Sequence, residues 1–155
     1  MKIVFVCSGN TCRSVMAQGF LEKMQKEKKG LPGEGEKDTL EISSAGTAAF
    51  PGQPAASEAL ALLLKEGIDL SHHQSRQITR EILQEADLVL TMTRSQLALL
   101  QERFPEFREK MQLFASYSLG EEKDIPDPYG YPGSYHMVAE EIKRIIQSLL
   151  DKMEK

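Results

Sequence analysis

The apolar runs of the chain are short, and amphipathic stretches separate them. Residues 2–6, KIVFV, are almost continuously apolar and mostly β-branched or aromatic, a pattern typical of a strand buried on both faces of a parallel sheet. Residues 14–28 then place Met16, Phe20 and Met24 at helical spacing, with charged residues toward the end. The chain therefore opens with a predicted strand, a tight loop and a helix.

The same alternation continues along the chain and predicts a single domain over residues 1–155. Its fold class is α/β, with a doubly wound, four-stranded parallel sheet and helices on both faces. GLPGEGEK, at 30–37, is predicted to be a surface loop of unknown purpose. Further strands are predicted at 39–44, 87–92 and 111–114, and further helices at 51–67, 79–87, 93–104 and 137–153.

Charge and composition exclude several classes of partner. The 155 residues include 19 basic and 23 acidic side chains, for a net charge of -4, which gives no general attraction to nucleic acid or to an anionic membrane surface. Apolar stretches are too short to cross a bilayer, and the N-terminus lacks the pattern of a signal peptide. We therefore expect a cytoplasmic protein. Its two cysteines have a chemical role rather than a disulfide-scaffold role.

Both cysteines lie in FVCSGNTCRSV, residues 5–15, where the first strand ends. Ligands of open parallel sheets collect at this edge, next to helix N-termini. Amides of the small residues 8–12 would form an anion-binding concavity, which the guanidinium fork of Arg13 would close. In this setting Cys7 is favoured in its ionised, nucleophilic form. We favour that interpretation over an inert buried cysteine.

A proton donor is suggested by KDIPDPYG, residues 123–130. Asp127 stands between two prolines, which keep it extended on a stiffened loop. Taken alone, this pattern more often describes an ordinary turn aspartate; the need of a nucleophilic cysteine for a proton donor favours Asp127, and Asp124 is a weaker competitor. The adjacent His72 and His73 lack partners at metal-ligand spacing, so no metal site is predicted. We expect His73 to have a structural role and His72 to be exposed.

The loop CSGNTCRS resembles the CxGNxCRS signature of the low-molecular-weight protein tyrosine phosphatase family. SSAG at 43–46, HQSRQIT at 73–79, DLVLTM at 87–92 and DPYG at 127–130 also match that family in order. The resemblance runs over nearly the whole chain, with Val15 departing from the proline found in many members.

The resemblance implies a metal-free and cofactor-free protein phosphatase with a phosphocysteine intermediate. Cys7 would attack phosphorus, Arg13 and the loop amides would hold the phosphoryl oxygens, and Asp127 would act first as acid and then as base. Phosphorylated proteins would be its partners; the oligomeric state is left open. The phosphate-binding loop would comprise Ser8, Gly9, Asn10, Thr11, Cys12 and Ser14. Ser14, placed at a helix cap, would hydrogen-bond the Cys7 sulfur, and a network including Ser44 and His73 would hold Asn10.

Substrate choice is predicted to depend on Thr11 and Tyr129. Threonine at the variable loop position resembles the bacterial protein arginine phosphatase branch, whereas tyrosine phosphatases usually carry a larger aliphatic residue there. A β-branched hydroxyl suits a guanidinium leaving group. Gly130 replaces the second aromatic that often follows DPY, which weakens the wall for a phenyl ring. We favour phosphoarginine, with phosphotyrosine as the alternative.

Two other functions are weighed against the phosphatase. An arsenate reductase shares the fold and the loop but needs further cysteines for a disulfide relay, and a silent phosphate-binding module would lose the nucleophile or the acid. Cys12 supplies a separate hypothesis of redox regulation, in which peroxide produces a reversible disulfide with Cys7. The alternative, that Cys12 merely packs under the loop, stays open.

Overall fold

Four parallel strands form one sheet in the computed structural model, which describes residues 1–28, 40–128 and 134–153. The order across the sheet is β2-β1-β3-β4, with Lys2 paired to Glu41 and Cys7 to Gly46. The predicted α/β class and four-stranded parallel sheet are confirmed. The strands are β1 Lys2–Cys7, β2 Glu41–Gly46, β3 Leu88–Thr91 and β4 Met111–Leu113; the helices are α1 Arg13–Lys28, α2 Ser57–Lys65, α3 Arg80–Glu85, α4 Arg94–Arg103, α5 Phe114–Leu119 and α6 Ser134–Met153, with a 3-10 helix at Pro105–Lys110.

The position of β1 in the sheet, with helices on both faces, explains why its sequence is continuously apolar. Ile3 and Phe5 enter the core beneath α1, α2, α5 and α6, whereas Val4 and Val6 pack on the opposite side with residues of α3 and α4. Alternating side chains of a strand point to opposite faces. Since both faces of β1 are covered by helices, both sets of side chains are apolar, as expected.

The predicted helix 51–67 is shorter in the structure, where α2 is Ser57–Lys65. Gly52 has a φ of 84°, a left-handed conformation incompatible with helix, and Pro54 disfavours helical geometry at the residue before it. Residues 47–56 therefore form a loop at the carboxyl edge of the sheet.

Other boundaries also differ from the prediction, and the strand predicted at 39–44 is Glu41–Gly46 in the structure. Phe114 was assigned to the last strand, but it begins α5, a six-residue helix that ends at Gly120 in the left-handed conformation. Helix α6 begins at Ser134, three residues before the predicted start. The predicted loop 30–37 lies outside the described residues. Within the described part, no helix has the length and apolar character to cross a membrane.

Candidate active site

The loop 8–12 connects β1 to α1 at the carboxyl edge of the sheet, with Cys7 as the last residue of β1. Neighbouring backbone supports it: the amide of Thr47 donates to the Cys7 carbonyl and that of Ala48 to the Ser8 carbonyl, both at 2.9 Å. A Cβ placed on Gly46 would stand 2.5 Å from the Ser8 carbonyl oxygen. The glycine at 46 is thus required by close approach of two backbone segments.

Cys7 lies in a chain of hydrogen bonds. Its Sγ is 3.0 Å from Oγ of Ser14, and that oxygen accepts a hydrogen bond from Nδ2 of Asn10, also at 3.0 Å. Because Ser14 accepts from Asn10, its own hydroxyl hydrogen is available for the Cys7 sulfur. All three side chains are buried. The arrangement stabilises negative charge on the sulfur.

The sequence suggested that Ser14 caps the helix, but the structure places it elsewhere. Helix α1 begins at Arg13, so Ser14 lies inside its first turn. Its hydroxyl bonds Cys7 and Asn10 rather than capping the helix.

Asn10 is fully buried and has a φ of 57°, the left-handed conformation that asparagine tolerates better than most residues. The segment 73–76 holds it there. Nε2 of His73 is 2.8 Å from the Asn10 carbonyl oxygen, and the amide of Arg76 donates to Oδ1 of Asn10 at 2.9 Å. His73 therefore joins the loop network directly.

Ser44 enters the network through Arg76. Its hydroxyl donates to Oε1 of Gln18 at 2.7 Å, while its carbonyl accepts from Nε of Arg76. Ser44 is thus connected to Asn10 through Arg76, whose side chain donates to the Ser44 carbonyl and whose backbone amide donates to Asn10.

Arg13 brings the distant acidic loop to the cysteine. Its guanidinium is buried, and Nη1 donates to the Ile125 carbonyl at 2.9 Å. Nη2 is 3.8 Å from Oδ2 of Asp127, whose side chain is 57% exposed. Asp124 points elsewhere, because its Oδ1 accepts from the backbone amide of Arg94 at 2.8 Å. Of the two aspartates, the structure places Asp127 at the site.

Cys12 is buried on the helix side of the loop. Burial and the neighbouring Cys7 raise the pKa of the Cys12 thiol to about 12. A hydrogen bond joins this thiol to the hydroxyl of Tyr135 in α6, and burial raises the pKa of that tyrosine to about 12 as well. Cys7 and Cys12 are both free thiols in the structure. Cys12 is thus a protonated neighbour of the nucleophile at neutral pH.

The predicted specificity residues are described only in part. Thr11 is half-buried, and its carbonyl accepts from the amide of Ala56 at 2.8 Å. Its Oγ1 lies close to Gly9, 3.7 Å from where a Cβ would stand. Tyr129 lies outside the described residues, as does Gly130. His72 is exposed, and the described chain contains no group of three acidic, histidine or cysteine side chains able to hold a metal ion.

Two residues near the loop were not identified from the sequence. Arg76 acts through its backbone amide, which no side-chain pattern reports. Gln96 donates from Nε2 to Oγ of Ser8 at 3.0 Å; its place three residues after Thr93 reads simply as a helix capping box.

A model of the family described as low molecular weight phosphotyrosine protein phosphatase matches residues 2–155. The chain belongs to this family. Among its relatives is the protein-arginine-phosphatase of Geobacillus stearothermophilus, 36% identical over 99% of this chain and 96% of the relative. The low molecular weight protein-tyrosine-phosphatase Wzb of Salmonella typhi is 34% identical, over 83% of this chain and 76% of its own length.

Solved structures of the phosphatase family have the same fold. A low molecular weight protein tyrosine phosphatase from T. tengcongensis is 40% identical, with a TM-score of 0.86 over 98% of this chain and 99% of that one. A YwlE arginine phosphatase, a cysteine-to-serine mutant with a phosphorylated active-site serine, gives a TM-score of 0.89 at 31% identity, over 100% of this chain and 97% of that one.

Proposed function

We propose that this chain is a cysteine-dependent protein phosphatase that removes phosphate from phosphoarginine through a phosphocysteine intermediate. The observation that carries the chemistry is the convergence of three side chains on one loop. The Cys7 sulfur accepts from Ser14, Arg13 closes the loop, and the Arg13 guanidinium brings Asp127 to the same place. One phosphatase domain would span residues 1–155.

In the first step the Cys7 thiolate attacks phosphorus in line with the leaving nitrogen. An S–P bond forms, the N–P bond breaks, and Asp127 gives its proton to the departing guanidine nitrogen. The guanidinium of Arg13 and the amides of residues 8–13 stabilise the equatorial oxygens as charge is redistributed. No redox change or metal ion takes part.

In the second step water attacks the phosphocysteine. Asp127, now a carboxylate, takes a proton from the water as the O–P bond forms and the S–P bond breaks, which releases inorganic phosphate and restores the thiolate. The hydrogen bond from Ser14 makes Cys7 a better leaving group, since it stabilises charge on sulfur. The sum of both steps is hydrolysis of phosphoarginine to arginine and phosphate.

Phosphoarginine as the substrate is favoured by Thr11 and by the share of this chain that aligns with each relative. The arginine phosphatase from Geobacillus aligns with nearly the full length of this chain, whereas the Wzb match covers 83% of it. The Thr11 hydroxyl would suit a polar, branched leaving group. Phosphorylated proteins would be the substrates, and a cytoplasmic site of action would keep Cys7 reduced.

The experiment compares phosphoarginine and phosphotyrosine peptides with EDTA present. Wild type is expected to prefer phosphoarginine, Thr11→Ile to shift the ratio toward phosphotyrosine, and Cys7→Ser to release no phosphate. Turnover by Cys7→Ser would overturn the cysteine mechanism. An unmoved ratio in Thr11→Ile would overturn the role of Thr11.

Hydrolysis of phosphotyrosine is the second candidate function. It is favoured by the T. tengcongensis tyrosine phosphatase, which at 40% identity covers almost all of this chain. Preference of the wild type for phosphotyrosine in the same assay would establish it. Arsenate reduction is disfavoured because the sequence has only two cysteines, too few for the expected disulfide relay.

A further inference from the structure

Gln96 occupies a position at the candidate site that its capping role does not fully explain. It lies in the first turn of α4, and its side chain is buried, with the residue only 4% exposed. Its Oε1 accepts from the backbone amides of Thr93 at 3.0 Å and Met92 at 3.1 Å. A carboxamide oxygen with two amide donors has its orientation fixed, so Nε2 must face the opposite way.

On that opposite side lies Ser8, the exposed residue that directly follows the nucleophile. Nε2 of Gln96 donates to Oγ of Ser8 at 3.0 Å. A serine oxygen has two lone pairs. Gln96 uses one of them and thereby holds the side chain in one orientation, which leaves the second lone pair of this exposed residue's hydroxyl to accept another donor.

The same segment of chain anchors the loop that carries the proposed acid. The carbonyl of Met92 accepts from the amide of Ile125 at 2.9 Å, and the amide of Arg94 donates to Asp124. A chain of hydrogen bonds therefore connects Ser8, through Gln96 and the segment 92–94, to the loop that carries Asp127. A leaving group protonated by Asp127 would lie next to this connected segment.

We propose that Ser8 is a specificity-determining residue that accepts an N–H hydrogen bond from the guanidinium of phosphoarginine, and that Gln96 is the residue that positions it. This inference rests on the proposed function. A guanidinium carries only donors, all of which need acceptors when it is desolvated. The phenyl ring of phosphotyrosine offers no such donor. The pair thus discriminates between the two leaving groups, in addition to any effect of Thr11.

The test measures kcat/KM for a phosphoarginine peptide and a phosphotyrosine peptide and follows their ratio. Ser8→Ala and Gln96→Met are each expected to lower the phosphoarginine preference by about tenfold or more, the effect of losing one hydrogen bond to a charged group. Because the two residues act through one contact, the double variant should lower the ratio little more than Ser8→Ala alone.

Thr93→Ala is the matched control. Thr93 forms the other half of the capping box, since its Oγ1 accepts from the Gln96 amide at 3.2 Å, yet among the described residues no hydrogen bond joins Thr93 to Ser8. Like Gln96→Met it should lower the melting temperature, but it should leave the substrate ratio at the wild-type value.

Each outcome separates this inference from the proposed function. If wild type cleaves phosphoarginine and the ratio does not move in Ser8→Ala, or moves equally in Thr93→Ala and Gln96→Met, the inference is wrong while the function stands. If wild type fails to cleave phosphoarginine but cleaves phosphotyrosine, the proposed function itself is wrong and the inference falls with it.

Discussion

Replacing Gly46 by alanine should damage both stability and catalysis. An alanine Cβ would stand 2.5 Å from the Ser8 carbonyl oxygen, 2.9 Å from Cβ of Ala49 and 3.2 Å from the Asn10 amide nitrogen. Cβ atoms essentially never approach a non-bonded heavy atom within 3.0 Å, so the backbone at Ser8 and at position 46 must move apart by about 0.5 Å. Overpacking of this kind costs about 1–3 kcal/mol. Since a chain of this size loses about 2–4 °C per kcal/mol, we expect a melting temperature about 2–12 °C lower.

Catalysis should suffer as well, because the displaced backbone is the phosphate loop itself. Misplacement by about 1 Å costs up to about a hundredfold in rate, so we expect kcat/KM on p-nitrophenyl phosphate to fall about tenfold or more. The two readouts are differential scanning calorimetry and initial rates. A Gly46→Ala variant that melts within about 1 °C of wild type and keeps its rate would refute the close-packing argument.

Gly19→Ala is the matched control for that experiment. It is also buried, but its Cβ would meet only three side-chain methyl carbons, of Leu63, Ile68 and Leu70, each at 3.2 Å. These can shift, and alanine gains about 0.5–1 kcal/mol over glycine in a helix. We expect stability close to wild type and an unchanged rate, and equal damage by both substitutions would indicate that any added methyl group is harmful.

Three further predictions concern the surroundings of the site. Asp124→Ala removes the hydrogen-bond acceptor for Arg94, which should loosen the loop that carries the proposed acid and lower kcat with little change in KM. Stopped-flow rates with substrates that have poor leaving groups would measure this effect, and an unchanged kcat would contradict the prediction. Tyr135→Phe removes a hydrogen bond that lowers the pKa of Cys12, so the disulfide between Cys7 and Cys12 should form more slowly after peroxide treatment. Mass spectrometry would measure its rate of formation, and equal rates in variant and wild type would exclude this role of Tyr135. Because the pKa of Cys12 is raised in the folded state, the free energy of unfolding should fall as pH rises from about 9, where the unfolded thiol ionises, through about 12. Urea melts at several pH values would measure this fall, which should be smaller in Cys12→Ala; a pH profile like that of wild type would contradict the prediction.

The strands and most helices could be predicted because each is encoded locally. β1 is apolar on both faces, and α4 is capped by Thr93, whose hydroxyl accepts from the amide of Gln96. Helix α5 could not be predicted, since six residues give less than two turns of periodicity and no side chain caps its start, whereas α3, equally short, is capped by Thr79. Its first residue, Phe114, lies in the core against Phe5, with ring centroids 5.5 Å apart. The tertiary contact, not the local pattern, explains why an aromatic residue stands at that position.

The parts of the site in which side chains carry the chemistry could be predicted from the sequence. The parts in which backbone groups hold the loop in place could not. Cys7, Arg13 and Asp127 each have a reactive group whose spacing or neighbours drew attention to it. Arg76 contributes an amide, which every residue except proline has, so its importance appears only when the chain is folded. Ser44 is a second example, because its backbone carbonyl accepts from Arg76 and so connects it to Asn10, whereas its hydroxyl bonds Gln18.

Asn10 shows why so much of the chain is devoted to a loop of five residues. A non-glycine residue in the left-handed region costs about 1–3 kcal/mol, and Asn10 is also fully buried. Its three bonds, to Ser14, His73 and the Arg76 amide, contribute about 0.5–1.5 kcal/mol each, enough to offset that strain. The ordering of the loop is thus complete before substrate arrives. Binding energy from the phosphoryl group can then be used in the transition state rather than in folding the loop.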